Sequence, residues 1–292
     1  MHKELENALV AVEQKIKDLN PQQIQQAFET VPLDIFAEIQ IERPAEYPNI
    51  MQWLPQMPEA QIQINWTGSA NHVLMNQTVA FIKTIISTYH ELTQTPISQA
   101  TVLDFGCGWG RIIRLLYKYV PLDNIYGVDP WHQSIEICQQ TGVQANLSLS
   151  DYLPRTLPTP DGVKFDFIMS FSVFTHLSET ATKICAQTLT DYLSDDGILA
   201  MTIRPIEYWD YEGTLENSAY SDEAIAQLKH DHQQSGFAFA PHHREKVEGE
   251  VTYGDTSISL DYIRENFKGL EIIRVEYNKA DSLQYVVFLR KV

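Results

Sequence analysis

From Thr101 onward the sequence predicts an α/β fold: a doubly wound sheet with helices on both faces. Three observations carry this expectation. Short β-rich segments alternate with stretches of helical periodicity. Several of those segments are nearly continuously apolar, as strands covered on both faces are. The first of them runs into "DFGCGWGR", where three glycines at alternate positions separate a strand from an apolar-periodic helix.

The elements follow in order. Leu5, Leu9, Val12, Ile16 and Leu19 lie at helical spacing, which predicts a helix over 4–19. Asn20-Pro21 ends that helix and opens the next, "PQQIQQAFETV". Prolines 44, 48, 55 and 58 exclude a long helix or a central strand between Arg43 and Ala60. Residues 1–65 therefore read as an N-terminal helical cap with an extended connector, and 66–292 as the main domain. A helix is predicted over 71–93. Strands are expected at 101–105, 125–129, 143–147, 165–171, 198–203, 271–276 and 284–290, with helices near 109–119, 132–140, 177–193 and 258–267. Residues 206–256 break the rhythm. They are polar and rich in Tyr and His, and read as an insertion after strand 5, with one helix at 221–231 ("SDEAIAQLKH"). So long a connection inside a domain predicts a working element, here a lid and a pocket wall.

Composition narrows the function classes. The net charge of −17, with 21 scattered Lys and Arg, argues against nucleic acid and anionic membranes as partners. No apolar run reaches a membrane-spanning length, and the amphipathic start has no apolar core of a secretory signal. Cys107, Cys138 and Cys185 are odd in number and make no ligand pattern, which fits a reducing, cytoplasmic location.

The glycine loop gives the first chemical signal. Gly106, Gly108 and Gly110 permit positive φ and close approach of a ligand to the backbone. The following helix adds free N–H groups to the same turn. A dinucleotide fingerprint requires its third glycine one residue later, where Arg111 stands. Asp104, two residues before the first glycine, would repel a pyrophosphate and suit a cation such as the ammonium of an amino acid. Asp129 ends the second strand, 25 residues on (129 − 104), where a carboxylate can accept from ribose hydroxyls. The lesser alternative is a strand-end cap. Pro130 and Trp131 offer a flat surface for an adenine, although Trp131 also suits helix-start packing. Asp151, after the third strand, is either an acceptor for an adenine amino group or a solvated loop acid. An amino acid joined to ribose and adenine describes S-adenosylmethionine.

On these residues the chain resembles the class I S-adenosylmethionine-dependent methyltransferases, over residues 66–205 and more loosely over the C-terminal strands. "VLDFGCGWGR" is similar to the family's first motif and "IYGVDP" to its second. "KFDFIMSFSVFTHLS" is similar to the fourth-strand motif, and "YLSDDGILAMTI" to its L-x-P-G-G-x-L segment. The last departs from pattern: Asp195-Asp196-Gly197 stands where proline and glycine are usual, at the expected turn before strand 5. The resemblance implies a seven-stranded, mostly parallel Rossmann-like sheet with the last strand antiparallel. It implies that Asp104 and the loop Gly106, Cys107, Gly108, Gly110 and Arg111 hold the methionine part. Asp129 then takes the ribose, with Pro130, Trp131, Asp151, Tyr152 and Phe171 completing the contacts. The product would be S-adenosylhomocysteine.

The sulfonium activates the methyl group itself, so the protein's task is alignment, plus proton removal where the acceptor is a hydroxyl. His176, after the fourth strand, is the candidate base; the alternative is that it only packs on the helix start. Thr175 and Ser172 read as turn and capping residues. Candidate acceptor contacts are Trp66, Arg204, Tyr208, His242, His243 and Tyr253. Trp209, Tyr211, His230, His232 and Asp255 are further polar or aromatic side chains of the insertion. No metal is expected: "HDH" and "PHHRE" match no ligand spacing, and the acids by which some relatives hold magnesium after strand 4 are missing. The expected activity is methyl transfer to a small-molecule oxygen. Alternatives are a peptide or protein carboxylate, an N-acceptor, and a non-catalytic S-adenosylmethionine-binding module. A nicotinamide dehydrogenase is disfavoured by the glycine spacing. The sequence does not disclose the oligomeric state.

Overall fold

The computed structural model describes residues 3–277 and 283–292. The chain forms two compact units, residues 1–149 and 150–292.

The first unit opens with helices Lys3–Lys15 and Pro21–Ala27. Leu9, Val12 and Ile16 of the predicted stripe are buried; the side chain of Leu5 lies outside the described ones. Asn20 accepts from the Gln23 N–H while Gln23 reaches back to the Asn20 N–H, so the Asn-Pro signal starts its helix with a complete capping box. The expected extended connector is corrected. Helix Leu33–Glu42 buries Leu33, Phe36 and Ile39, and the proline-dense stretch folds into short helices Pro48–Trp53 and Ala60–Thr67. Pro48 occupies the first turn of its helix, where the missing N–H costs nothing. Buried cations tie these helices down. Lys118 Nζ donates to the carbonyls of Phe28 (2.7 Å) and Glu29 (3.1 Å), and Arg114 Nη1 to that of Gln56 (2.8 Å). Burial pulls Lys118 down to about 8 and Arg114 to about 10.

After helix Asn71–Thr93 come β1 (Val102–Phe105), helix Arg111–Leu116, β2 (Ile125–Asp129), helix His132–Gln140 and β3 (Asn146–Leu149). β2 pairs in parallel with β1 and with β3. β3 starts three residues later than expected. Val143 is used instead to pack on the glycine loop, where a Cβ on Gly110 would lie 3.2 Å from its Cγ2.

The second unit contains β4 (Phe165–Ser170), helix Glu179–Tyr192, β5 (Leu193–Ile203), β6 (Phe237–Pro241), β7 (Gly254–Ile258), helix Leu260–Asn266, β8 (Leu270–Tyr277) and β9 (Tyr285–Lys291). β4 runs parallel to β5, and β9 lies antiparallel between β5 and β8. The seven-stranded, mostly parallel sheet thus draws β3-β2-β1 from the first unit and β4-β5-β9-β8 from the second. The Asp195-Asp196-Gly197 departure is a ladder irregularity, not a turn before the strand. Leu193 pairs with Phe165, and pairing resumes at Ile198 with Phe167. A Cβ on Gly197 would lie 2.7 Å from the Phe165 carbonyl oxygen, so only glycine fits this bulge.

The insertion is ordered around its own core. Helices Tyr208–Thr214 and Asp222–Ser235 pack with the β6–β7 hairpin around Trp209, Ile225, Leu228, Ala238 and Ala240. Ser221 caps the second helix, which runs four residues beyond the expected 221–231. Trp209 Nε1 donates to Ser257 Oγ at 2.7 Å, and His232 Nδ1 lies 2.8 Å from the same hydroxyl. Burial lowers the pKa of His232, so this histidine of "HDH" is a core residue. Among the described residues no helix is long and apolar enough to cross a membrane.

Gly254 is the tightest point of the hairpin: a Cβ there would lie 2.0 Å from the Ala240 carbonyl oxygen. Gly254→Ala is expected to cost about 2 kcal/mol or more through forced separation of β6 and β7. A urea unfolding curve superimposable on that of the wild type would show that the approach is not required.

Candidate ligand sites of the two units

In the first unit the loop after β1 is built for a ligand on its backbone. Gly106, Gly108 and Gly110 have φ of 78°, 53° and 78°, a region closed to most side chains. The N–H groups of Gly106 (2.8 Å) and Cys107 (3.0 Å) donate to the Val128 carbonyl, which fastens the loop to the end of β2. Asp129 closes the other side: its Oδ2 accepts from Gly108 N–H and its Oδ1 from Trp131 N–H, both at 2.9 Å. Those bonds and one from Ser134 oppose the burial that raises its pKa. Trp66, from helix Ala60–Thr67, joins the same wall. It donates from Nε1 to Ser134 Oγ (3.2 Å), its ring lies 5.3 Å from that of Trp131, and its Cδ1 is 3.7 Å from where a Gly108 Cβ would be. Sequence reasoning placed Trp66 with the acceptor; its contacts are with the glycine loop. Ser134 was missed, since a helix serine carries no motif.

Asp104 is the exceptional group. It is 1% exposed, and neither carboxylate oxygen has a hydrogen-bond partner. Burial pushes its pKa up to about 7, against a lowering by Arg111 and a further rise from Asp129. A buried anion without hydrogen bonds is costly and calls for a cationic ligand group. Arg111 donates to Thr78 Oγ1 at 3.3 Å, and burial takes its pKa to about 10. Cys107 and Cys138 are buried thiols in contact, the first with its pKa raised by that neighbour and by burial.

In the second unit the chemistry gathers on Asp255 of β7. Its Oδ1 accepts from Arg204 Nη1 at 2.7 Å; its Oδ2 accepts from the Tyr220 hydroxyl at 2.8 Å and from His242 Nε2 at 3.0 Å. Despite burial, these bonds and the Arg204 charge hold it down at about 2, while the Tyr220 hydroxyl is pushed up. The turn after β4 is laced to the edge of β7: Gly254 N–H donates to the His176 carbonyl and Thr256 N–H to that of Thr175. Ser172 adopts a left-handed φ of 59°, and its N–H donates to the buried hydroxyl of Thr202; it is a turn residue, as expected.

His176 lies stacked on Tyr253, with ring centroids 5.0 Å apart. Its Nδ1 is 2.7 Å from the Gly254 carbonyl, which fixes the hydrogen there, and Arg204 Nη2 stands 3.4 Å from Nε2. Burial, then the Arg204 charge, lower its pKa to about 4. A proton taken at Nε2 would face a guanidinium. The ring is held neutral, with Nδ1 on the Gly254 carbonyl and Nε2 facing Arg204. Arg204 also covers the Tyr208 ring at 4.1 Å, and Arg244 the Tyr253 ring at 4.4 Å.

Of the acceptor candidates, Arg204, Tyr208, His242 and Tyr253 belong to this cluster. His243 is exposed. Asp151 and Tyr152 are exposed, Phe171 and Pro130 half-buried. Tyr220 was missed because its neighbour Asp255 is 35 residues away. Among the described residues no three His, Cys, Asp or Glu side chains are arranged to hold a metal ion.

Comparison with known proteins bears on this geometry. Residues 102–197 match the family model described as "Methyltransferase domain". An uncharacterized protein of Rickettsia prowazekii is 24% identical over 192 residues, covering 60% of this chain and 76% of that one. The plantazolicin methyltransferase BpumL, solved in complex with SAH, has a TM-score of 0.50 at 16% identity, covering 93% of this chain and 98% of its own. The PH0226 protein from Pyrococcus horikoshii OT3 has a TM-score of 0.50 at 14% identity, covering 73% and 90%. At these identities the structural likeness is one of fold.

The raised pKa of Asp104 has a consequence for stability. The unfolded chain loses this proton near pH 4, the folded chain near 7, so stability falls as pH rises through that window. Asp104→Asn removes the fall. The difference in unfolding free energy between variant and wild type is expected to grow, on the order of 3 kcal/mol, from pH 4.5 to 8. Parallel denaturation series at the two pH values check this; a constant difference would refute it.

Proposed function

We propose, from the match of residues 102–197 to a methyltransferase-domain model, that this chain is a class I S-adenosylmethionine-dependent methyltransferase and moves the methyl group of S-adenosylmethionine to an oxygen of a small-molecule acceptor. The observation that carries the donor is Asp104. Its two unpaired, buried oxygens suit the donor's ammonium group, whereas a dinucleotide pyrophosphate would add charge of the same sign. The glycine loop lets the methionine portion lie on the backbone, with Cys107 and Arg111 beside it. Asp129 accepts from Gly108, Trp131 and Ser134, which leaves acceptor capacity on its carboxylate for the ribose. Trp131 and Pro130, with Trp66 added to the set, offer apolar faces to the adenine. Asp151, Tyr152 and Phe171 complete the cofactor contacts in this reading.

The donor supplies an activated methyl group. The residues of this chain hold the acceptor oxygen in line with it and exclude water, and alignment can contribute up to about 7–11 kcal/mol in the best cases. We assign acceptor binding to Arg204, Tyr208, His176 and Tyr253. Their guanidinium, hydroxyl and ring faces fit a small planar acceptor carrying oxygen. The insertion, 206–256, is the element that gathers them.

Calorimetry with S-adenosylmethionine tests the donor assignment. Wild type is expected to bind it, Asp104→Asn and Asp129→Ala at least about tenfold more weakly, a loss of roughly 1.4 kcal/mol. Undiminished affinity in both variants would remove the site from the glycine loop.

A further inference from the structure

The connection between β6 and β7 turns on a residue that the turn does not favour. Val247 N–H donates to the Glu250 carbonyl (2.8 Å) and Glu250 N–H to that of Val247 (3.2 Å). Between them Glu248 and Gly249 have φ of 51° and 93°. Two positive φ values in a two-residue turn are those of type I′, whose first position takes Asn, Asp or Gly. Glutamate lacks the short side chain that lets Asn or Asp bond locally there. A non-glycine residue held left-handed points to a task beyond the turn. That task is visible in the carboxylate. Glu248 Oε1 and Oε2 accept from Arg155 Nη1 (2.8 Å) and Nη2 (2.9 Å), a two-point fork across 93 residues of chain. Arg155 stands on a fixed segment: Thr188 Oγ1 donates to the Pro154 carbonyl (2.6 Å) and the Tyr192 hydroxyl to that of Leu157 (3.3 Å). Glu250, on the other side of the turn, accepts from Ser178 Oγ (3.1 Å) and Thr180 Oγ1 (3.3 Å). Among the described residues, the hydrogen bonds that join 245–250 to other elements come from these two carboxylates.

Resting on the acceptor assignment above, we propose that residues 243–251 are a lid on the Tyr253 ring and that the Arg155–Glu248 pair is its ionic latch, so that release of the pair admits a small planar acceptor to that ring. Arg244, near the base of the lid, covers the ring at 4.4 Å. The ends of the lid are tied by backbone. His242 N–H donates to the Tyr253 carbonyl, Ser178 N–H to that of Thr252 and Gly254 N–H to that of His176, and Tyr253 bridges to Leu177. The tip has no such ladder, and a Cβ on Gly249 would meet nothing within 4 Å. A single exposed ion pair holds little, a bidentate one holds more, and salt screens both. Such a pair closes a lid and still lets it open.

Hydrogen exchange at the Val247 and Glu250 amides, corrected for intrinsic rates, reads the latch directly. Exchange in the wild type is expected to speed up about fivefold between 0.05 M and 1 M sodium chloride. Glu248→Asn is the decisive variant, because it improves the turn and removes the fork. It is expected to exchange about fivefold faster than wild type at low salt and to lose the salt dependence. Arg155→Lys is expected to follow it, since an ammonium cannot reproduce the fork. The exchanged pair Arg155→Glu with Glu248→Arg is expected to recover wild-type protection. Exchange in Glu248→Asn as slow as in wild type, or slower, would show that Glu248 serves the turn alone and overturns the latch. Equal acceleration at Gly254 and Thr256, which bond to the turn after β4, would mark general loosening and overturn it too. Phenol, followed by its proton line width, then probes the ring. Its association and dissociation rates are expected to rise together in Glu248→Asn, with affinity within threefold of wild type. Unchanged rates overturn the gating role. Phenol that binds neither protein overturns the acceptor assignment and the gating role with it, while the exchange result still decides the latch.

Discussion

A carboxylate buried without a hydrogen bond is the constraint on which the first unit turns. Most buried acids are satisfied by their own chain. Asp104 is not, and the surrounding residues keep it so. Its strand position turns it inward, the glycines beyond it face backbone outward, and the nearest cation, Arg111, only partly offsets its burial. A fold that tolerates this cost without a ligand recovers it with one. The loop is fixed elsewhere: Val128 and Asp129 take the hydrogen bonds of the three successive positions Gly106, Cys107 and Gly108, and of Trp131, so the loop backbone is preformed.

Asp255 is the opposite case. Arg204, Tyr220 and His242 donate to it, and the acid stays ionised in spite of burial. Its carboxylate divides two histidines that the sequence presents as equals. Arg204, drawn in by Oδ1, stands against Nε2 of His176 and keeps that ring neutral. His242, on Oδ2, has its hydrogen fixed on one nitrogen and its lone pair left on the other. Removing the acid would release both rings, so neither histidine can be understood singly.

The sequence exposed the parts of this design that are local. Glycine spacing, the acids at strand ends, the apolar strands and the Asn-Pro helix start are short-range signals, and β1, β2, β4, β8 and β9 lie within two residues of where those signals put them. What it hid depends on distant partners. The β6–β7 hairpin was illegible because Phe237–Pro241 and Gly254–Ile258 are short, and a 12-residue connection, not a tight turn, joins them. Helix Leu33–Glu42 is apolar on several sides, so its periodicity is weak. The β5 irregularity follows from a close approach to the Phe165 carbonyl. That Arg204 ends between Asp255 and His176 is a fact no spacing rule contains.

Seen from the glycine loop, the N-terminal helices are part of the surface around it rather than an appendage. Trp66 reaches Ser134, Trp131 and the space over Gly108, so a helix before the sheet finishes a surface begun by β1 and β2. Its placement rests on cations buried against oxygen acceptors: Lys118 on the carbonyls of Phe28 and Glu29, Arg114 on the Gln56 carbonyl and the Thr141 hydroxyl. Hydrogen bonds to charged donors are stronger than neutral ones, and a buried cation stripped of its acceptors is strongly destabilising. Arg114 and Lys118 sit on the helix that leaves the glycine loop and in the turn just beyond it. The segment that presents the loop is therefore the one that anchors the cap, and Trp66 and the loop backbone are held by a common set of bonds.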